Sequence, residues 1–358
     1  MASGKHVTYI AGINMVDVRA ARRPERWLTV LNADGVDLGV PSGRFTFGFP
    51  RALVDGRDRL RLLWAEPDVV DTSVSAMEWF HQRPTTLWAA MLSPDSGWSQ
   101  PEVILRDAGL RWGFGYPIGG GSTTDGVVHF ALTLRDGAAG RLVHLSRRNG
   151  VWNVGEIPSR RGGAYVGLAA DGHHLAVGYV STAPGSRSDH NSVFLSRSMD
   201  GGVSWTPGEL VSRSGETPAY DLLTLVAGDD TEHLIWKQLR SSGLPVLRHV
   251  SRAPSDDAWS VPSDLELPAD AHNFRAITGP CNTVHVVFEH RINDSESHLD
   301  YVAWQNGWGK VDHVVRDAFQ MDAMFSSTPS PDATLVFSDL NAEGRTLRVL
   351  LRQLRSKQ

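Results

Sequence analysis

A tryptophan returns five times at a nearly fixed interval, and this repeat restricts the fold more than any other feature of the chain. Trp98, Trp152, Trp205, Trp259 and Trp308 are separated by 54, 53, 54 and 49 residues. Each closes a turn rich in Gly, Asp, Asn or Ser: SPDSGW at 93–98, SRRNGVW at 146–152, SRSMDGGVSW at 196–205, SRAPSDDAW at 251–259 and WQNGW at 304–308. Ahead of each turn lies a short strand-like run, such as Arg141–Leu145 or His298–Val302. Ahead of that comes a more apolar run, such as Val127–Leu134 or Thr283–Glu289. The first run of each unit is rich in glycine and aromatics: Phe45–Phe49, Tyr116–Gly121, Ala164–Ala170, Tyr220–Ala227 and Phe274–Gly279. One unit is thus about 50 residues with four short strands, and nothing between the turns keeps the 3.6-residue apolar spacing of a helix.

Four strands at this period is the arithmetic of a β-propeller blade. A β-sandwich or an irregular β-helix gives no reason for the recurring tryptophan. In a propeller, an indole on the outer hairpin can fill the wedge between neighbouring blades. The units run at about 44–106, 115–158, 162–213, 217–267 and 271–316, with a sixth at 320–353 that lacks a tryptophan-bearing fourth strand. The expectation is an all-β, six-bladed β-propeller of four-stranded antiparallel blades, one domain over residues 1–358. An N-terminal strand, Val7–Ile10 or Trp27–Leu31, is expected to complete the last blade and close the ring, because an open strand edge is a liability.

Composition narrows the function classes. With 41% hydrophobic and 21% charged residues the chain is globular, not disordered. Its single cysteine, Cys281, excludes an internal disulfide and a cysteine-cluster metal site. A net charge of -5 gives no general attraction to nucleic acid or an anionic membrane. No run approaches the roughly 20 apolar residues of a membrane span. The stretch Val7–Val16 is broken by Thr8, Gly12 and Asn14 and is not read as a signal peptide. These points predict a cytoplasmic protein, with a processed secreted form as the alternative. They predict a monomer or weak homodimer with a small-molecule or oligosaccharide ligand, no cofactor, no metal, and no nucleic-acid or membrane partner.

Ser198, Asp200, Gly202, Ser204 and Trp205 complete the pattern Ser-x-Asp-x-Gly-x-Ser/Thr-Trp, and Ser93, Asp95, Gly97 and Trp98 form a partial copy. The chain therefore resembles the sialidase-like propellers with BNR (Asp-box) repeats. The box itself is a structural turn. Asp200 can accept hydrogen bonds from turn backbone, Gly202 supplies a conformation closed to other residues, and Trp205 packs in the blade. For a sialidase proper the resemblance implies three carboxylate-binding arginines, a tyrosine–glutamate nucleophile pair and a mobile acid/base. Arg44 and Arg275 take two arginine positions, but a third arginine and the tyrosine have no counterpart near Gln320–Met321–Asp322. Another substrate, or binding alone, fits better.

Ligands of propellers sit over a channel mouth, among loops that enter the innermost strands. There the sequence places Arg44, Tyr116, Arg160, Arg161, Tyr165, Tyr220, Asp221, His272, Asn273, Arg275 and Asp322. Asp221 and Asp322 flank apolar inner-strand residues, where a carboxylate needs a reason. An insertion carrying Trp79, Phe80 and His81 can fold over the same mouth. Two chemistries are open. Hydrolysis would use Asp221 and Asp322 as the carboxylate pair, with Arg44 and Arg275 orienting an anionic group. Elimination would use His81 or His272 as base and Tyr116 or Tyr220 as acid. Trp79, Arg160, Arg161, Tyr165 and Asn273 complete the substrate-binding set. The alternatives to a glycosidase or lyase are a non-catalytic carbohydrate-binding propeller and an intracellular interaction or biosynthetic propeller.

Overall fold

The computed structural model describes residues 2–3, 8–15, 26–32, 38–39, 41, 51–55, 59–67, 85–93, 95–106, 118–123, 126–134, 140–159, 163–182, 191–212, 219–226, 229–240, 242–279, 282–293, 296–326, 333–340 and 347–354. All regular structure among them is β-strand, and no helix is long and apolar enough to cross a membrane. The chain forms two compact units, Met1–Ala164 and Tyr165–Gln358.

In the first unit, β1 (Ala2–Ser3), β2 (Thr8–Met15) and β3 (Arg26–Asn32) form a three-stranded sheet. A second sheet holds β4 (Arg51–Val54), β5 (Leu60–Pro67), β6 (Thr85–Ser93) and β7 (Gly97–Trp98), with β8 (Glu102–Leu105) paired to β6. A third holds β9 (Ile118–Ser122), β10 (Val128–Leu134), β11 (Arg141–Arg148) and β12 (Val151–Glu156) in simple meander order. The second unit repeats the meander with β13 (Ala164–Asp171), β14 (His174–Thr182), β15 (Asn191–Ser198) and β16 (Glu209–Leu210). Next come β17 (Ala219–Val226), β18 (Glu232–Leu239), β19 (Pro245–Arg252) and β20 (Ser263–Glu266). Six strands close the chain: β21 (Ala271–Thr278), β22 (Val284–Asn293), β23 (Glu296–Trp304), β24 (Asp312–Ser326), β25 (Ala333–Leu340) and β26 (Leu347–Leu354).

The four-stranded antiparallel units expected from the repeat are present, but both ends of the chain depart from expectation. The N-terminal strands do not complete the last sheet. They pair with each other, Tyr9 opposite Asn32 and Asn14 opposite Trp27, and among the described residues the last sheet ends at β26. The hairpin satisfies its backbone locally, which a lone closing strand could not do. The fifth and sixth units are not separate sheets either. The first part of β24 pairs with β23 and its second part with β25, so 15 residues run unbroken from one repeat into the next. The first paired strand of the second sheet is Arg51–Val54. The expected run Phe45–Phe49 lies outside the described residues.

Middle strands are buried on both faces, which is why they read as apolar runs without alternation. Every residue of β10 is buried. The cores lie between neighbouring sheets. Leu63, Leu87, Phe130, Leu132 and Leu145 pack together in the first unit. In the second, Trp236 packs with Leu195 and Leu222, and Phe274 and Phe288 pack with Ile235 and Leu247. Close approach is permitted by missing side chains. A Cβ at Gly120 would sit 3.0 Å from Leu53 and 3.1 Å from Phe130, and one at Gly178 would collide with Thr224 on β17.

Four of the recurring tryptophans donate to the segment or strand that precedes their own sheet. The Trp98 indole donates to the Leu38 carbonyl at 2.9 Å. Trp152 donates to Glu102 on β8 at 3.1 Å, Trp259 to Glu209 on β16 at 2.9 Å, and Trp308 to the Ser263 carbonyl on β20 at 3.1 Å. Glu209 also accepts from Arg197 at 2.8 Å and Arg252 at 3.2 Å. The Arg252 guanidinium lies over the Trp259 ring, 4.7 Å from its centroid. The Asp-box turn also forms as read. Asp200 accepts from the Val203 amide at 3.0 Å, the Ser204 amide at 2.9 Å and the Ser204 hydroxyl at 2.6 Å. These donors hold its pKa well below the usual carboxylate range. Gly202 takes a φ of 89°.

A second repeat is unreadable in one dimension. Where β10 meets β11, buried His129 and His144 stack with ring nitrogens 3.0 Å apart. His233 and His249 do the same between β18 and β19 at 3.0 Å. His285 and Tyr301 take the corresponding places on β22 and β23, at 2.7 Å.

Two outcomes are expected. Trp259→Phe keeps the ring but removes the donor to Glu209, and should cost about 1 kcal/mol in urea unfolding. Burial lowers the pKa of His233 to about 4 and that of His249 to about 3. A histidine held neutral in the fold stabilises it above the unfolded value near 6.5 and loses that contribution as pH falls toward the folded value. Wild-type stability should therefore drop between pH 6.5 and 4, by up to about 1.4 kcal/mol per pH unit for each buried histidine. His249→Phe should make that limb shallower in melts recorded across the same range.

Candidate functional site

Three first strands share one irregularity, and it gathers polar groups. In β17 the register shifts between Tyr220, opposite Lys237, and Leu223, opposite Ile235. In β21 it shifts between His272, opposite Glu289, and Arg275, opposite Val287. In β24 it shifts between Phe319 and Asp322. Each is a bulge in which two residues oppose one, and a bulge re-aims the side chains around it. Asp221 and Asn273 are the first bulged residues, with φ of 50° and 53°. Tyr165, near the start of β13, has a φ of 49°. Non-glycine residues with such φ are uncommon and concentrate where structure is held for a purpose.

The best-described cluster lies where β17, β18, β21 and β22 meet. Asp221 is pushed above the usual carboxylate range, chiefly by burial, against the pull of Lys237, His272 and Arg275. Lys237 donates to the Ala271 carbonyl at 2.7 Å. The His272 Nε2 lies 3.1 Å from buried Glu289, and its Nδ1 donates to the Asp270 carbonyl at 2.7 Å. Glu289 raises the pKa of His272, more than burial and Lys237 lower it. Beside them opens a cavity of about 320 Å3 lined by Lys237, Ala269, Asp270, Ala271, His272 and Arg291. It presents Lys237, His272 and Arg291 to an incoming ligand, so it favours an anionic polar one.

Of the residues singled out from sequence, Asp221, His272 and Arg275 come together here. Asn273 sits in the same bulge, where Arg275 donates to the Phe274 carbonyl at 3.0 Å. Tyr165 packs half-buried against the core around Trp236. Tyr220 and Asp322 have described backbone in β17 and β24, while their side chains lie outside the described residues. Arg44, Trp79, His81, Tyr116, Arg160 and Arg161 also lie outside them. His173 and His174, adjacent in sequence, point apart: the first is exposed and the second is buried against Glu232 at 3.3 Å. Lys237, Glu289 and Arg291 were missed. The available signal was a charged residue within or just after an apolar middle strand, at 233–239 and 284–291.

No protein-family model matches the chain, and no curated protein matches it in sequence. Solved structures do match in fold. A structure described as a new family of polysaccharide lyase, PL25 ulvan lyase, bound to -[GlcA(1-4)Rha3S]-, is 11% identical with a TM-score of 0.61. That match covers 97% of this chain and 89% of the lyase. The leech intramolecular trans-sialidase is 8% identical with a TM-score of 0.53, over 85% and 68% of the two chains. AofleA from Arthrobotrys oligospora is 11% identical with a TM-score of 0.50, over 85% and 81%. The sialidase-like propeller resemblance read from the Asp-box holds at the level of fold. At these identities the likeness carries no activity with it.

Asp221 gives a test of the electrostatics. A carboxyl with a higher pKa folded than unfolded stabilises the fold below the unfolded value, near 3.9, and loses that contribution as pH rises through the folded value. Asp221→Asn should therefore melt above wild type at pH 8, with the gap closing toward pH 4.

Proposed function

We propose that the chain is a carbohydrate-active enzyme acting on an acidic polysaccharide or glycoside, cleaving next to a uronate by β-elimination. The observation that carries this reading is the half-buried carboxyl of Asp221 set among Lys237, His272 and Arg275, beside a cavity where Lys237, His272 and Arg291 outnumber the one carboxylate, Asp270. Elimination requires the substrate carboxylate to be neutralised so that the neighbouring proton becomes acidic, and it requires a base and an acid. Arg275 and Lys237 pair with the carboxylate, and Asp221, when protonated, donates a hydrogen bond to it. His272 takes the proton from C5 on Nε2, which must first turn from Glu289 to the substrate because Nδ1–H is held by the Asp270 carbonyl. The C5–H electrons form the C4–C5 double bond as the C4–O bond breaks, and Tyr220, next to Asp221, protonates the departing oxygen. Glu289 orients His272 and raises its basicity. In this reading the cavity lies at the channel mouth of the propeller. The fold likeness to a polysaccharide lyase shows that such a scaffold can carry this class of reaction, while the substrate class rests on the cationic groups at the cavity.

The test is incubation with uronate-containing and neutral oligosaccharides, followed by ultraviolet absorbance and mass analysis of the products. An unsaturated uronate at the new end supports elimination. Addition of water at the break returns the reading to hydrolysis with Asp221 as general acid, and no cleavage of any uronate substrate removes the enzyme reading. Activity should rise with pH through the His272 pKa, because the base must be deprotonated. Glu289→Gln should move that limb to lower pH and reduce kcat about 10- to 100-fold, less than the roughly 100- to 10,000-fold that the base itself contributes.

A further inference from the structure

A second polar cluster lies in the same sheet, and nothing in the proposed reaction uses it. His298 and Asp300 stand two residues apart on β23, so their side chains leave the same face. His313 on β24 is opposite Asp300, and His290 on β22 is opposite His298. The pairing of β23 with β24 is irregular at this point. Leu299 opposes Val315 while Asp300 opposes His313, leaving Val314 as an extra residue. In a regular ladder Val314 would have faced Asp300. The bulge puts an imidazole there and leaves Val314 buried.

The geometry is convergent. One ligand-capable atom from each of His298, Asp300 and His313 lies within 4.8 Å of the others. The His313 Nδ1 is 2.5 Å from Asp300 Oδ1, and the His298 and His313 rings are 5.5 Å apart. The Asp300 side chain is 1% exposed. Its Oδ2 makes no hydrogen bond and has His290 Nδ1 at 3.4 Å. A carboxylate this buried demands positive charge, and three imidazoles around it are more than a single ion pair needs.

We propose that His298, Asp300 and His313 bind a divalent transition cation of the Zn2+ type, with His290 holding the second oxygen of Asp300. Two imidazoles and a carboxylate are a borderline-soft donor set, suited to Zn2+ and unsuited to Ca2+, which takes six or more oxygens. Bonds of about 2.1 Å would set the donor atoms about 3.4 Å apart in tetrahedral geometry. The present spread therefore needs only side-chain rotation. His313 is 44% exposed, which leaves the fourth position to water. The ion would clamp β23 to β24 just before β24 passes into its pairing with β25. His290 fits the outer partner that orients a ligating carboxylate.

The test uses the full chain without a polyhistidine tag, stripped by chelator and titrated with ZnCl2 in a calorimeter. One Zn2+ per chain is expected, with a melting midpoint that rises with Zn2+ concentration and no response to CaCl2. Co2+ should give the visible absorption of a tetrahedral nitrogen–oxygen site. His313→Gln and His298→Ala should each weaken Zn2+ binding by more than about 100-fold, beyond the cost of losing an outer partner. His290→Leu should weaken it by about 10- to 100-fold. Exposed His173→Ala should change nothing. No Zn2+ uptake by wild type, or uptake unchanged in His313→Gln, overturns the proposal. If His298→Ala fails to fold, the wild-type Co2+ spectrum decides, since its absence would exclude imidazole ligation.

Discussion

The indole N–H of the repeating tryptophan is the contact on which the stacking of sheets depends. A four-stranded antiparallel sheet has two apolar faces here and cannot stand alone in water. Neighbouring sheets must cover those faces. Where strands approach closely, glycine makes room: Gly120 and Gly178 stand where a Cβ would meet the adjoining sheet. At the outer strands a large ring fills the space, and a ring with a donor fixes orientation as well as distance. Trp152 and Trp259 both donate to a glutamate on the outer strand of the preceding sheet, and each glutamate is bound by arginine from the next sheet. The glutamates lie partly exposed at the rim, while the arginines that bind them are largely covered.

The interior shows the opposite solution for polar groups. His129 with His144, His233 with His249, and His285 with Tyr301 are buried side by side and hydrogen-bond to one another, and burial holds His233 and His249 neutral. They occupy equivalent places in three sheets. A neutral imidazole pair gives each partner a hydrogen bond while avoiding the cost of a buried ion. These histidines are structural. Two histidines that neighbour carboxylates, His272 at Glu289 and His313 at Asp300, stand at strand ends near solvent, where protons or ions can reach them.

Both clusters of chemical interest grow from bulges. The register shifts of β17 and β21 turn Asp221 and His272 toward one another's neighbourhood, and the shift between β23 and β24 sets His313 against Asp300. A regular ladder alternates its side chains strictly, so an interruption is what allows two adjacent polar residues to serve one face. The repeat builds the scaffold and its irregularities gather the polar clusters.

The sequence alone determined the repeat, the four-strand unit, the Asp-box turn and the place of the tryptophans, because each depends on spacing along one chain. Asp221, His272 and Arg275 were also legible, as polar residues opening apolar strands. Only the tertiary structure decided the rest. Lys237 follows Asp221 by 16 positions and Glu289 follows His272 by 17, yet their facing depends on register. The N-terminal hairpin replaced the expected closing strand because strand pairing is a choice among partners, and hydrophobic pattern does not name the partner. A one-residue bulge reverses which side chains share a face, and alternation carries no mark of it. The sites lay beyond sequence reading for that reason: they are set by pairing between strands, which a linear pattern does not record.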